Sequence, residues 1–294
     1  MKTTTPCPDK EARRRPHAKR IPSTDGCFGL TDELWTLIES LLPAHQNTHR
    51  FGGGRPRVPD RVCAEAIFFV LRTGCQWNAL SATGLCASST AHDRFQAWVA
   101  DGFFLRFWQA GLAAYDAFNG IDWQWMSMDG AMTKAPLAGE KKPAENPTDR
   151  AKRGTKRSLL VEAGGVPVGL SVAGANRNDF KLFAETLQSI PVEKPKPTPR
   201  RPQHVCLDKG YDDDEVRALL QAQGFVAHIR SRGEKTKEKK SAQQARRWVV
   251  ERTHSWFNRF RSILTRWSKK ADNYLGMLHF VCGMTAYRAA GFFG

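Results

Sequence analysis

The hydrophobic period of this chain is helical up to about residue 120 and mixed after it, and that change limits the folds open to it. Before it, apolar residues recur at three- and four-residue steps, the spacing of one helical face. Leu34, Trp35, Leu37, Ile38 and Leu41 share such a face behind Thr31, a natural N-cap, and Pro43 ends the run. Residues 62–71 read as a second helix and 73–77 as a turn. Ser88 or Ser89 caps a third helix, with Phe95, Trp98 and Val99 inward and His92, Arg94 and Gln96 outward. Residues 103–118 form a fourth. Past the change, a run of alternating tryptophans and methionines from Asp122 suits a buried strand ending at Asp129. Residues 158–165 and 166–174 then pair as a hairpin over Gly164-Gly165. A helix follows from about Phe180 to Ile190, capped by Asn178 or Asp179. A strand ends at Asp208, a helix is stopped by Gly224, and residues 225–230 make the last strand. The predicted fold is α/β, a mixed sheet flanked by helices and preceded by a small all-helical domain. Residues 1–27 are expected to be a disordered basic tail, 28–119 the helical domain and 120–294 the α/β domain.

Charge narrows the partners. Lysine plus arginine outnumber aspartate plus glutamate 45 to 29, a net +16, which favours nucleic acid first and an anionic membrane second. No apolar run reaches membrane-spanning length, since Arg106 and Arg288 interrupt the best stretches. The N-terminus has no apolar core for a signal peptide. Seven cysteines, an odd number with no C-x-x-C pair, read as reduced thiols without a zinc site, in a cytoplasmic protein. The basic glycine-rich stretch RFGGGRPR lacks the spacing of a phosphate-binding P-loop and reads as an exposed hinge. Helix, turn, helix with a polar outer face resembles a reader of the major groove.

The stretch from Gln243 to Arg266 concentrates the chemistry. It reads as one helix with Val249, Thr253, Trp256, Phe260 and Ile263 on an apolar stripe and Arg247, Glu251, Ser255, Asn258 and Ser262 on a polar one. Its single acid, Glu251, is either half of a surface ion pair or a carboxylate held ionised among arginines, able to bind a metal while they hold phosphates. Two further acids end strands, Asp129 and Asp208, and either could instead be a turn residue. Strand ends of an α/β sheet open into one crevice, and a helix laid across that edge can add a third ligand. Three carboxylates suit magnesium or manganese, and a pair of ions would serve phosphodiester chemistry.

MDGAMTKAP, NPTDRAKRGTKRSLLVEAGGVPVGLSVAGANRND, LDKGYD and RRWVVERTHSWFNRFRSI resemble the insertion-sequence transposases of the DDE class. LTDELWTLIESLLP, GRPR, LRTGCQWNAL and the Ser-Ser-Thr helix are similar to the small N-terminal domain of one bacterial branch of that family. The resemblance spans roughly residues 30–290. It implies a ribonuclease H-like catalytic domain, with Asp129, Asp208 and Glu251 as catalytic and metal-binding residues for two Mg2+ ions, Mn2+ able to substitute. It implies binding of terminal inverted repeats and target double-stranded DNA, phosphodiester hydrolysis and strand transfer. A homodimer or higher oligomer on DNA is expected, nucleoid-associated in the cytoplasm and away from membranes. The candidate DNA contacts are Arg55, Arg57, His92, Arg94, Lys134, Arg153, Lys156, Arg157, Lys209, Arg247, Arg252 and Arg259. Where the family often has Lys or Arg seven residues after the glutamate, this chain has Asn258, so Arg259 is the candidate for that role. A tyrosine recombinase is disfavoured, because the one H-x-x-R, His17 to Arg20, lies in the basic tail. The remaining alternative is a DNA-binding protein of this fold without chemistry.

Overall fold

The structure is a computed structural model that describes residues 29–45, 56–137, 153–229 and 244–293. Four helices come first: α1 (Asp32–Glu39), α2 (Asp60–Thr73), α3 (Ser88–Ala100) and α4 (Phe103–Asn119). Thr31 caps α1 as the sequence requires, its hydroxyl accepting from the Leu34 N–H at 3.3 Å. α3 starts at Ser88 without a side-chain cap; its N-cap position is Ala87.

The strands β1 (Trp125–Lys134), β2 (Gly154–Glu162), β3 (Pro167–Gly174), β4 (Gln203–Leu207) and β5 (Phe225–Ile229) form one sheet in the order β3-β2-β1-β4-β5. β1, β2 and β3 are antiparallel, whereas β4 and β5 run parallel to β1. Between them lie α5 (Asp179–Gln188) and α6 (Asp214–Ala222), and after them α7 (Gln244–Phe257), α8 (Arg261–Leu264) and α9 (Ala271–Ala289). This is the expected ribonuclease H-like mixed sheet flanked by helices, with a helical region in front.

Both faces of the sheet are covered. α5 packs on β2 and β3, while α7 lies over β1, β2 and β4. Every residue of β2 is accordingly buried, charged ones included. The apolar core is continuous from α1 to α9, and α4 runs against α9 so closely that a Cβ on Gly283 would meet the Phe107 ring at 2.4 Å. The described cysteines, Cys63, Cys75, Cys86, Cys206 and Cys282, are all free, as expected. Among the described residues no helix is long and apolar enough to cross a membrane.

Three boundaries differ from the sequence reading. β1 does not end at Asp129 but continues to Lys134, paired with β2 over that length and bridged at Lys134 to Thr265. β2 starts at Gly154, so Lys156 and Arg157 sit in a buried strand rather than a basic loop. The long basic helix breaks after Phe257: the N–H groups of Arg259 and Phe260 bond three residues back, to Trp256 and Phe257, and Phe260 turns extended before α8.

Candidate active site

The site starts from strand register. β1 and β4 are parallel neighbours with Ser127 opposite Cys206. Asp129 and Asp208 each lie two residues beyond that pair, near enough for the Asp208 charge to act on the Asp129 carboxyl, and alternation puts Asp129 on the face of Ser127. That face is the one α7 covers, because the Ser127 hydroxyl donates to the Arg246 carbonyl of α7 at 3.1 Å. Here the two strands part. β4 ends at Leu207 while β1 goes on.

Each aspartate is held by backbone. Asp208 caps a short 3-10 turn, its Oδ1 accepting from the Gly210 N–H at 2.7 Å. The Asp129 carboxyl is pushed up to about 6, first by burial and then by the charges of Asp208 and Asp179, against the Gly130 N–H and Arg247. A buried carboxylate whose proton affinity is raised by a neighbouring carboxylate marks a place where a cation is stabilising.

Glu251 arrives on α7, whose position is set by residues around it. One turn on, His254 is buried and places Nε2 3.3 Å from the Asp129 carbonyl, while its Nδ1 takes a hydrogen bond from Arg157 at 3.3 Å. Those contacts fit a neutral ring with the proton on Nε2, and burial, with the Arg157 charge second, pulls its pKa down to about 3. The Thr253 hydroxyl donates to the Gly165 carbonyl at 2.8 Å, and Arg252 donates to that of Gly164 at 2.5 Å. Gly165, at φ 91°, brings the hairpin tip against the helix where a side chain would strike both residues. Glu251 itself is more than half exposed and accepts from Arg247 Nη2 at 3.1 Å.

The donor set is three carboxylates, hard oxygens only, which fits Mg2+ or Mn2+ better than zinc. Among the described residues, however, no three His, Cys, Asp or Glu side chains already stand in metal-binding geometry. The two aspartates are neighbours; Glu251, on the helix that packs on their strands, is engaged with Arg247.

The candidate DNA contacts divide by burial. Lys134, Arg153, Lys209 and Arg259 are exposed, as is Arg57, which pairs with Asp60 at 3.0 Å. Arg247 is 40% exposed beside Glu251. Arg55 lies outside the described residues. The others need correction. Lys156 is buried and pairs with Asp179 at 3.1 Å. Arg157 is buried beneath α7, donating to His254 and, at 2.7 Å, to Asn258. Arg252 is sandwiched between Trp248 and Trp256, 4.6 Å from each ring. His92 is half-buried, its ring edge against Trp77 at 5.1 Å.

Arg94, expected to face outward, is 8% exposed, pairs with Asp60 and donates to the Val58 carbonyl. Burial, followed by the Arg57 charge, lowers its pKa to about 10. It ties α3 to α2. Because Asp60 is partly exposed, Arg94→Ala should cost less than breaking a fully buried pair, about 1–3 kcal/mol in urea unfolding. Any loss of DNA affinity should fall equally on all sequences, and a sequence-selective loss without destabilisation would restore Arg94 as a base reader.

Sequence reasoning passed over two residues of this region. His254 looked like one more polar position on a basic helix, and only the fold shows what it touches. Of the two cap candidates Asn178 takes the N-cap position, without a side-chain cap bond, and Asp179 is the first residue of α5. Asp179 Oδ1 is pressed against Gly130, next to Asp129, without a hydrogen-bond partner.

Known proteins supply the family. The model described as "Putative transposase of IS4/5 family" matches residues 30–108, and that described as "Transposase DDE domain" matches residues 122–282, more than half of the chain. A relative in Burkholderia cepacia, "Putative transposase for insertion sequence element IS402", is 35% identical over 146 residues, 49% of this chain and 68% of its own. A second from the same organism, "Insertion element IS402 uncharacterized 16.2 kDa protein", is 37% identical over 38% of this chain and 77% of its own. Among solved structures, a pre-cleavage Mos1 transpososome overlaps 84% of this chain and 82% of its own at 10% identity and a TM-score of 0.26, a superposition too loose to relate their sites. By the match across residues 122–282 and the shared length with the IS402 relative, this chain belongs to the DDE-domain transposases, DNA transposases with nuclease and strand-transfer activity.

Proposed function

We propose that this transposase cuts and joins DNA at Asp129, Asp208 and Glu251, acting as its catalytic and metal-holding carboxylates on the terminal inverted repeats of an insertion sequence. The observation that carries the reading is the register of β1 and β4, which makes neighbours of two aspartates where the strands part, with the helix that bears the glutamate packed on both strands. The three carboxylates would hold Mg2+, two ions in the full site, with Mn2+ able to replace it. Bound there, the metal supplies activation of the attacking oxygen and charge stabilisation of the leaving one. The chain's own part is placement. Asp208 is fixed by its turn and Asp129 by the sheet, and α7, which bears Glu251, packs on β1 and β4. The exposed cations Lys134, Lys209, Arg247 and Arg259 are suited to the phosphates of the repeat and of the target duplex.

The helical region of residues 28–119 is the candidate reader of the repeat and residues 120–294 the catalytic unit. An assembly of two or more copies on DNA, in the cytoplasm at the nucleoid, fits a reaction that handles two element ends. The presence of all three carboxylates favours a working enzyme over a DNA-binding protein without chemistry.

The test is nicking of a duplex made from the DNA flanking the protein's own reading frame, with Mn2+ and without divalent metal. Metal-dependent nicks at the element boundary are expected, and binding without nicking at any metal concentration would favour the inactive alternative. Lys209→Ala and Arg259→Ala should each flatten the slope of log affinity against log salt by about 0.9 for a lost phosphate contact. An unchanged slope would remove that residue from the interface.

A further inference from the structure

Asp129 and Asp208 are neighbours and Glu251 is borne by the helix that packs on their strands, yet the three do not form a ready metal-binding group among the described residues. The backbone of α7 is fixed against the sheet. It is pinned to the sheet at Ser127, Gly165 and the Asp129 carbonyl. What is left to move is the Glu251 side chain, and Arg247 Nη2 holds it at 3.1 Å, one helical turn away.

We propose that Arg247 is a positioning residue that couples DNA binding to assembly of the metal site. In the DNA-free protein its guanidinium keeps Glu251 turned from Asp129 and Asp208, and a DNA phosphate takes the guanidinium and releases the carboxylate. This rests on the reading of Glu251 as a metal-holding residue.

The contact has the properties of a latch. It is an i,i+4 pair with side chains 40% and 54% exposed, so phosphate and solvent reach both partners. Pairs of that kind are weak, whereas a guanidinium can hold a phosphate with two parallel hydrogen bonds. The exchange needs only side-chain rotations. The other described arginines of α7 are occupied by aromatic packing: Arg246 lies over Trp125 at 4.2 Å, and Arg252 is held between two tryptophans. Arg247 is the arginine of this helix that both touches the glutamate and lies near enough for its charge to act on Asp129.

Metal binding itself gives the readout, as Mn2+ titrated into the full chain and followed by electron paramagnetic resonance of the free ion. In wild type, a short duplex carrying the element end should tighten Mn2+ at least roughly tenfold. Arg247→Gln should bind Mn2+ about three- to tenfold more tightly than wild type without DNA. Arg246→Gln removes the same charge one residue away and should change affinity less than about twofold. In a Glu251→Gln background, Arg247→Gln should have no further effect. A DNA-free affinity in Arg247→Gln equal to or weaker than wild type, or a gain matched by Arg246→Gln, would overturn the latch. If Glu251→Gln with the duplex bound binds Mn2+ as wild type with the duplex does, the reading of Glu251 as a metal-holding residue fails with it. If Glu251→Gln loses Mn2+ while Arg247→Gln gains none, the site stands and only the latch falls.

Discussion

Glu251→Gln should leave the protein folded and bound to DNA while lowering cleavage and strand transfer by roughly a thousandfold, the loss of several kcal/mol of charge stabilisation in the transition state. The amide keeps the shape of the side chain and removes the charge that a hard divalent cation requires. Stability should hardly change, because an exposed i,i+4 pair with Arg247 contributes about 0.5 kcal/mol or less. DNA affinity should hold or rise slightly, since Arg247 loses its internal partner and one repulsion toward phosphate disappears. Cleavage by gel and binding by anisotropy on the same preparation separate these effects. A Glu251→Gln protein that nicks at near wild-type rate would make Glu251 a surface residue and nothing more.

The second large effect is expected at a residue with no side chain. A Cβ on Gly130 would come within 2.0 Å of Asp179 Oδ1, on the sheet face opposite α7. Asp179 cannot give way cheaply, because its other oxygen pairs at 3.1 Å with Lys156, itself buried. Either β1 lifts at Gly130 or Asp179 swings off and leaves a buried ammonium unpaired. Gly130→Ala should therefore cost about 1–3 kcal/mol in unfolding experiments. Activity should suffer more than stability. Gly130 adjoins Asp129, and a displacement of about 1 Å at a catalytic group can cost on the order of a hundredfold. Adding Asp179→Ala removes the clash, so the double variant should recover part of the cleavage rate despite its unpaired lysine. No recovery, or a Gly130→Ala enzyme with wild-type rate, would show that the contact does not position Asp129.

Much of this site was legible in the sequence because it depends on period. Alternation along β1 states which face Asp129 occupies, and Asp208 directly follows β4, two residues past the Cys206 that pairs with Ser127. α7 declared itself through Val249 and Thr253, both buried on the sheet. Partners distant in the chain were the illegible part. Arg94 lies on a polar stripe of α3, and only the fold brings Asp60 under it. Lys156 and Arg157 read as a loop because two adjacent charges rarely enter a buried strand, and they do so here because Asp179 takes one and His254 with Asn258 the other. The end of β1 was misplaced for a similar reason. Gly130 and Ala131 have weak strand character, and it is pairing with β2 that extends the strand through them to Lys134. The break after Phe257 has no helix-breaking residue to announce it; Asn258 there accepts a hydrogen bond from the buried Arg157.

The claim that Asp129, Asp208 and Glu251 form one metal site on DNA is tested most directly by cutting the protein from within that site. Fe2+ replaces the native metal in the complex with an element-end duplex, and ascorbate with peroxide then generates hydroxyl radicals wherever the ion is held. Backbone cuts are expected beside Asp129, Asp208 and Glu251, suppressed by excess Mg2+ and absent in Asp129→Asn. Cuts confined to other segments, or cuts at these three that persist unchanged in Asp129→Asn, would contradict a shared site.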